Sequence, residues 1–224
     1  MQASDSLQLA AAWFRLLTPE QQARIERDVA IQQVPAGAII ERKGELAVCW
    51  IGVLAGLVKV SVGNADGKMA SLTGVPAGGW IGEGSLLKRE VRKYDVVALR
   101  DAVIARLPAP TFEWLLDSSI PFNRFLLDQL NERVAQFIGK AENDRLLDSD
   151  ARVARCLAEL FNPLLYPGMG MRLAITQEEL GYLGRVSRQR ANQALRTLED
   201  AGLLRVEYGA VRVLDLEGLK RYGQ

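Results

Sequence analysis

Histidine is absent from the 224 residues, and cysteine occurs only twice, as Cys49 and Cys156. A chain without histidine cannot build a His-ligated haem, most zinc sites, or Ser-His and Cys-His nucleophilic catalysis. Neither cysteine belongs to a CxxC pair, so one chain cannot hold an iron-sulfur cluster or a four-cysteine zinc site. Both cysteines lie in apolar surroundings, which favours buried small side chains over redox sensors. We therefore expect no catalytic residues, no metal site and neither of these cofactors, in a protein that is not an enzyme.

Long apolar runs are also missing. The longest uncharged stretches, 69–82 and 46–58, hold 14 and 13 residues, which is too short to span a bilayer. The first five residues are polar and do not form the start of a secretion signal. The net charge is only +1, so any basic surface must be local. We expect a cytoplasmic protein that does not associate with membranes, with a sizeable core because 49% of the residues are hydrophobic.

The middle of the first half, from Gln32 to about Pro108, has a β-type pattern. Short β-branched runs recur about every ten residues and are separated by glycine-containing turns. Asp66-Gly67, between two such runs, predicts a hairpin. Many short strands at this spacing predict an antiparallel barrel or roll. Residues 7–30 before it predict two helices, the first carrying Leu9, Trp13, Phe14 and Leu17 and the second beginning at Thr18-Pro19.

A helical pattern returns after the β region. A short helix around Thr111–Leu116 is followed by a long one over roughly Pro121–Leu147. The long helix has apolar residues at alternate spacings of three and four, which is a heptad seam. The seam could pack on the roll of its own chain, but we favour a parallel helix pair across a two-fold axis, which makes a homodimer. The predicted interface residues are Leu127, Leu130, Val134, Phe137 and Ala141.

The segment from Ile175 to Leu204 predicts two short helices joined by a tight turn at Gly184. Thr176 and Glu179 form a capping box for the first helix, and Ser187 can cap the second. The stretch 185–196 contains four arginines and no acidic residue. Arg, Gln and Asn pair with base edges in the major groove, so the second helix is a candidate recognition helix of a helix-turn-helix. The candidate DNA-binding residues are Thr176, Ser187, Arg188, Gln189, Arg190, Asn192, Gln193 and Arg196.

The residues that follow this segment favour the same interpretation. After Gly202, the run LLRVEYGAVRVLDL holds two β-type stretches joined near Gly209. A small hairpin directly after a recognition helix is the wing of a winged helix. Arg205 and Arg212 in this hairpin are candidate phosphate contacts, although Glu207 beside them weakens that assignment. The alternative for the whole segment is a solvated helix hairpin with incidental basic residues.

These elements predict an α+β chain in three parts. An antiparallel β-roll domain with N-terminal helices covers 1–118, a dimerisation helix 119–147, and a winged helix-turn-helix DNA-binding domain 148–224. This order, together with LLDSDARVARCLAEL, WIGEGSLL and the Ile175–Leu204 block, resembles the CRP/FNR family of bacterial transcription regulators over nearly the whole chain. The resemblance implies a sensory β-roll of the cyclic-nucleotide-binding type and a homodimer on a palindromic operator of double-stranded DNA. RNA polymerase is a further candidate partner.

The resemblance also assigns a candidate effector segment. In cyclic-AMP-binding members a phosphate-binding cassette begins Gly-Glu and ends about ten residues later with Arg, Ser or Thr, and Ala. Gly82 and Glu83 match its start, but Arg92 lies one position early and is followed by Lys93 and Tyr94. These departures should crowd the phosphate cradle.

A second departure lies on the long helix. Phe137 and Ile138 stand where cyclic-AMP binders place Thr-Ser against the adenine, and apolar side chains cannot hydrogen-bond a purine amine. We therefore expect an effector pocket that departs from the cyclic-AMP pattern, with Gly82, Glu83 and Arg92 as candidate effector contacts and an unknown effector.

Several alternatives stay open at this point. Glu83 is either a ligand carboxylate or a structural residue that caps the roll's own backbone, and Arg92 either binds a ligand or lies at the surface or a dimer contact. A nucleotide-responsive regulator would bind a cyclic nucleotide or dinucleotide through Glu83 with Arg89 and Arg92. In a third alternative the winged helix contacts protein or a ligand instead of DNA, which the acid-free, arginine-rich helix argues against.

Overall fold

The computed structural model describes Leu7 and residues 11–63, 69–167 and 169–223. The chain divides into two compact units, one formed by Met1–Asn131 with Leu164–Gly168 and the other by Glu132–Pro163 with Met169–Gln224. Helices and antiparallel sheets occur in both units, which confirms the α+β class. The division of the chain at residues 118 and 147 stays a prediction.

The first unit contains the β region and its flanking helices. A 3-10 helix at Ala12–Leu16 precedes α1, and α4 begins in this unit and continues into the second. The elements are α1 (Pro19–Asp28), β1 (Ala30–Val34), β2 (Ile39–Glu41), β3 (Cys49–Ala55), β4 (Leu57–Gly63), β5 (Met69–Pro76), β6 (Trp80–Ile81), α2 (Glu83–Leu87), β7 (Asp95–Ala98), β8 (Ala102–Pro108), α3 (Ala109–Ser118) and α4 (Ile120–Leu146).

Two four-stranded antiparallel sheets make the predicted roll. Their strand orders are β1-β8-β3-β6 and β2-β7-β4-β5. Strands β4 and β5 pair directly, with Val58 opposite Val75, as the hairpin prediction requires. The predicted turn residues Asp66 and Gly67 lie outside the described residues, as does Leu9 of the first predicted helix.

An aromatic cluster fills the core of the first unit. The rings of Trp50 and Trp80 lie 4.6 Å apart, and Trp13 lies 5.0 Å from Trp80 in an edge contact. Phe112 and Phe122 complete the cluster from α3 and α4. These rings are fully or almost fully buried, so the 3-10 helix, the sheet and both C-terminal helices of the unit share one core.

The second unit holds the C-terminal half of α4 and the elements after it. These are α5 (Ser149–Leu160), β9 (Arg172–Ala174), α6 (Gln177–Gly184), α7 (Arg188–Asp200), β10 (Leu204–Glu207), β11 (Ala210–Val213) and α8 (Leu216–Arg221). The strands form one antiparallel sheet in the order β10-β11-β9. Asp148 caps α5 by accepting hydrogen bonds from the amides of Asp150 and Ala151. Across the described residues, no helix combines the length and apolar character needed to cross a membrane.

Candidate nucleic-acid interface and effector segment

Helix α6 begins with the predicted capping box. The Thr176 hydroxyl accepts from the Glu179 amide at 3.2 Å, and the Glu179 carboxylate accepts from the Thr176 amide at 2.5 Å. The turn after α6 lies one residue later than predicted. Gly184 is the last helical residue, and Arg185 takes the left-handed conformation with φ of +56°. The prediction that Gly184 makes the turn is therefore wrong.

Close packing in this turn depends on a different glycine. A Cβ added at Gly181 would lie 2.9 Å from the Val186 carbonyl oxygen, so a side chain there would push the two helices apart. Arg185 then forms an ion pair with Asp144 of α4 at 2.7 Å, and Lys140 donates to the Leu183 carbonyl at 3.3 Å. These contacts attach the C-terminal half of α4 to the turn between α6 and α7.

Helix α7 separates apolar and polar residues as its periodicity predicts. Ser187 caps it by accepting from the Arg190 amide at 3.1 Å. Ala191, Ala194, Leu195 and Leu198 are buried. Five of the eight predicted DNA-binding residues are exposed on or just before the helix, and we call them the polar face of α7: Ser187, Arg188, Gln189, Gln193 and Arg196.

The other three predicted residues make contacts within the unit. Arg190 is half-buried and forms an ion pair with Asp150 of α5 at 3.0 Å. The Asn192 amide oxygen accepts from Gln177 of α6 at 3.1 Å. The Thr176 side chain is exposed but serves as the α6 cap. These three side chains therefore stabilise the helices of the second unit, and they lie next to the exposed polar face of α7.

The predicted wing is present as the β10–β11 hairpin. Arg205 lies opposite Arg212, and Arg212 lies opposite Arg172, so three arginines cross the sheet on one face. Glu207 forms ion pairs with Arg172 at 2.6 Å and with Arg212 at 2.9 Å. Hydrogen bonds from these two arginines lower the pKa of the Glu207 carboxyl. Glu207 therefore offsets the charge of Arg212, as the sequence suggested.

Tyr208, at the tip of the wing, is not among the predicted DNA-binding residues. Tyr208 is fully exposed there, next to Gly209 with its positive φ of +65°. Together with Thr176 and Arg188 it borders a cleft of about 510 Å³ between the wing and the starts of α6 and α7. An exposed aromatic residue in a short hairpin beside a recognition helix is a signal that the sequence already contained.

The candidate effector segment is folded into the core of the first unit. Gly82 has φ of +96° and precedes α2, and a Cβ there would lie 2.0 Å from Arg92 Nη1. Glu83 is 3% exposed and accepts a hydrogen bond from Trp50 Nε1 at 3.3 Å. The structure brings Gly82, Glu83 and Arg92 together, with the arginine side chain filling the space over Gly82.

Arg92 is 2% exposed, so a position at the surface is ruled out. Its Nε lies 3.0 Å from Glu41 Oε2, and its Nη1 donates to the Gly82 carbonyl at 3.1 Å. Nη2 donates to the Cys49 carbonyl, and Arg106 forms a second ion pair with Glu41. Burial, followed by the nearby Glu41 charge, raises the pKa of the Cys49 thiol.

No local sequence pattern predicts the Glu41 contacts. Glu41 closes the apolar strand β2 and lies 51 positions from Arg92. The neighbouring basic residues have surface positions. Arg89 pairs with Glu113 at 3.1 Å, and Lys88 and Lys93 both pair with Glu90. All three side chains are exposed.

The heptad seam on α4 is largely uncovered. Leu127 is 66% exposed, Val134 56% and Phe137 39%, and Ala141 is exposed as well. Leu130 is half-buried and packs against the aromatic core of the first unit. Of the five seam residues, Leu130 therefore packs on its own chain. The other four are not covered by any described residue.

Two family models match the chain in the two regions just described. Residues 31–119 match the cyclic nucleotide-binding domain, and residues 151–222 match the Crp-like helix-turn-helix domain. The first match covers the strands of the roll and the effector segment. The second covers α5 through the wing and α8.

Curated proteins similar to the chain include two bacterial transcription regulators. The transcriptional regulator SdrP of Thermus thermophilus is 30% identical over 77% of this chain and 82% of its own length. The cAMP-activated global transcriptional regulator CRP of Pasteurella multocida is 28% identical over 78% of this chain and 85% of its own.

Solved structures are also similar to the chain. A CRP/FNR-family transcriptional regulator from Thermus thermophilus has a TM-score of 0.57 and 28% identity, covering 85% of this chain and 96% of that one. FixK2 from Bradyrhizobium japonicum has a TM-score of 0.72 at 14% identity, covering 88% and 98%; at that identity it supports the fold alone.

Proposed function

The chain belongs to the CRP/FNR family of DNA-binding transcription regulators, and we propose that it acts as a homodimer on a palindromic operator without using cyclic AMP as its effector. Three features support this proposal: the surface that would contact DNA, the seam that would join two copies, and the buried arginine of the β-roll.

The polar face of α7 supports the DNA contact. It combines arginine and glutamine side chains, exposed at one end of a well-capped helix, with no acidic residue from Arg185 to Arg196. Arginine pairs bidentately with guanine O6 and N7, and glutamine with adenine N6 and N7. Arg188 would contact guanine, and Gln189 and Gln193 would favour A·T pairs beside it. This exposed face is the observation that carries the proposal.

The uncovered seam supports the homodimer. Leu127, Val134, Phe137 and Ala141 repeat at the spacing of a two-stranded coiled coil and remain exposed on α4. In a homodimer, these residues of one copy would be buried against the same residues on α4 of the second copy. Two α7 helices related by that axis would need a separation of about 34 Å to enter successive major grooves.

The buried Arg92 supports the departure from cyclic AMP. The guanidinium already binds Glu41 and the carbonyls of Gly82 and Cys49, so a ligand phosphate would have to displace a buried carboxylate. The displaced Glu41 carboxylate would keep its ion pair with Arg106 but lose Arg92, and loss of a buried partner opposes phosphate binding. Phe137 and Ile138 add apolar side chains where a purine would need hydrogen bonds.

Random-site selection with the purified full-length protein tests the proposal. We expect a palindromic consensus whose half-site keeps one guanine and has neighbouring A·T pairs, without added nucleotide. Affinity for that site should fall steeply as salt rises, because phosphate contacts release counterions. No enriched sequence, or enrichment only when cyclic AMP is added, would contradict the proposal.

A further inference from the structure

A cavity of about 250 Å³, lined by both polar and apolar residues, lies between α4 and α5 within the second unit. With 3.6 residues per turn, the α4 residues that line the cavity lie on the side of the helix opposite the seam. The cavity is therefore separate from both the polar face of α7 and the proposed dimer contact. Its polar and glycine lining residues are Glu132, Gln136, Gly139, Arg155, Glu159 and Asn162, with Lys220 at the edge.

Gln136 on the α4 wall has an unmet hydrogen-bonding requirement. The residue is 7% exposed, and neither Oε1 nor Nε2 has a hydrogen-bond partner among the described residues. A buried amide in this state destabilises a protein, because it has lost water and gained nothing in return. A molecule in the cavity that offered one donor and one acceptor would satisfy both atoms after a small side-chain rotation.

Glu159 on the α5 wall also lacks a hydrogen-bond partner among the described residues. Burial raises the pKa of its carboxyl to about 7, and the nearby Asp144 charge adds to this, while Lys140 and Arg155 act in the other direction. No described residue donates a hydrogen bond to this carboxylate. Arg155, one helical turn before it, likewise has no hydrogen bond or close ion pair among the described residues.

Gly139 leaves space that the folded chain does not need. It lies in the interior of α4, about two turns before the helix ends at Leu146, where glycine is less stable than alanine. A Cβ at this position would meet no atom within 4 Å, so no close packing requires the glycine. Gly139 and Arg155 also border a neighbouring recess of about 400 Å³. A side chain at residue 139 would therefore lie at the border of both recesses.

We propose that this cavity binds a small zwitterion of the free α-amino-acid class, with its ammonium group on Glu159 and Gln136 Oε1 and its carboxylate on Arg155 and Gln136 Nε2. The charges of the lining select this class. Glu132 already accepts from Asn162 at 2.6 Å, and Lys220 pairs with Glu217 at 2.8 Å. That leaves one acid, one base and one amide, which match a molecule with both charges close together. A nucleotide would bring more negative charge than Arg155 offsets.

Calorimetry on the full-length protein tests the proposal with five probes: glycine, L-alanine, L-serine, L-glutamine and L-arginine. We expect saturable binding of at least one of them, and at least about tenfold weaker binding of its N-acetyl and carboxamide derivatives, each of which lacks one charge. Binding near pH 6.5 should release protons, because an ammonium group beside Glu159 favours the carboxylate. Repeating the titration in buffers of different ionisation enthalpy measures that release.

Three variants locate the site. Gly139→Ala should raise the melting temperature of the free protein, since alanine is the better helix former, yet weaken binding, because its methyl group would occupy part of the cavity. Gln136→Leu should weaken binding at least about tenfold, and Glu159→Gln should remove the proton release. Gly170→Ala is the matched control, because a Cβ there also meets nothing within 4 Å but lies outside the cavity.

Failure to bind any of the five zwitterions at millimolar concentration would overturn the proposal. Binding that is unchanged by Gly139→Ala would overturn it as well, because the ligand would then lie elsewhere. Equal binding of the zwitterion and its N-acetyl derivative would rule out the ammonium contact with Glu159.

Discussion

Glu41 Oε2 lies 3.0 Å from Arg92 Nε, and both side chains are more than nine-tenths buried. The pair joins strand β2 to the end of the effector segment, 51 positions later. It places an internal carboxylate against the arginine that a phosphate ligand would otherwise need. The roll therefore carries its own counter-ion at this position.

Removing that carboxylate should destabilise the first unit. Glu41→Ala leaves Arg92 charged and buried without its partner, and we expect a loss of about 3–5 kcal/mol in the free energy of unfolding. All four tryptophans, at positions 13, 50, 80 and 114, lie in this unit, so urea titration followed by tryptophan fluorescence measures it. Glu113→Ala, which breaks an exposed pair with Arg89, is the control and should cost less than about 1 kcal/mol.

Cyclic AMP should bind weakly or not at all. Arg92 is occupied by Glu41, and the residues at 137 and 138 leave the adenine amine unpaired, which costs roughly 1–3 kcal/mol for each unmet buried group. Two or three such losses amount to several decades of affinity. Calorimetry with cyclic AMP measures the affinity, and a micromolar dissociation constant would contradict this prediction.

The dimer should depend on the seam. Val134→Glu would place two carboxylates against each other in a desolvated interface, so we expect it to shift the protein to monomers. Sedimentation velocity at micromolar concentration measures the shift. Asn131→Glu, on the same helix but not at one of the five seam positions, should leave the distribution between monomer and dimer as in the wild type. A wild-type protein that sediments as a monomer with and without DNA would refute the homodimer.

Base preference should depend on Arg188. Arg188→Ala is expected to cost about 1–3 kcal/mol of binding free energy and to relax selection at one base pair, because a bidentate guanine contact is lost. Arg196→Ala and Ser187→Ala should weaken binding evenly across sequences, as loss of a phosphate contact does. Parallel site selections compare the variants with wild type. Identical base preference for wild type and Arg188→Ala would remove Arg188 from the contact surface.

Stability of the second unit should fall as pH rises toward neutrality because of Glu159. The folded pKa of about 7 lies above the ordinary value of 4.5, so the folded state holds the extra proton between these values. The stabilising contribution is complete below pH 4.5 and is lost as pH rises to about 7. Glu159→Gln should therefore be more stable than wild type by about 2–3 kcal/mol at pH 8, with little difference near pH 4.5.

Hydrogen-exchange protection of α5 at the two pH values measures this difference, since α5 carries Glu159. Glu142→Gln, an exposed position on α4, is the control and should show no comparable change with pH. Equal protection of wild type and Glu159→Gln at pH 8 would contradict the expected burial effect.

Local chemistry made the DNA-binding helices predictable. Thr176, Glu179 and Ser187 accept hydrogen bonds from backbone amides three residues away, so their caps appear in the sequence as they do in the structure. Helical periodicity likewise separated the buried residues of α7 from its polar face. The turn was misplaced by one residue because Arg185, and not the glycine before it, adopts the left-handed conformation.

Contacts between distant positions were not predictable in this way. Periodicity cannot tell that Arg190 turns to Asp150 or that Asn192 turns to Gln177, because each depends on how a neighbouring helix packs. The same holds for the pairing of Trp50 with Trp80 at 4.6 Å, which requires strands β3 and β6 to be adjacent.

The amino-acid sequence by itself determined the order of elements, the caps of the DNA-binding helices, the apolar faces and the family of this protein, since these follow from spacing and from residues within one or two turns. Tertiary structure alone decided what Arg92 binds. A guanidinium forms its bonds with whichever carboxylate and carbonyls the fold brings within reach, and here the fold brings Glu41, Gly82 and Cys49. The altered cassette showed that the pocket had changed, but only the packing of β2 against the effector segment showed which group fills it.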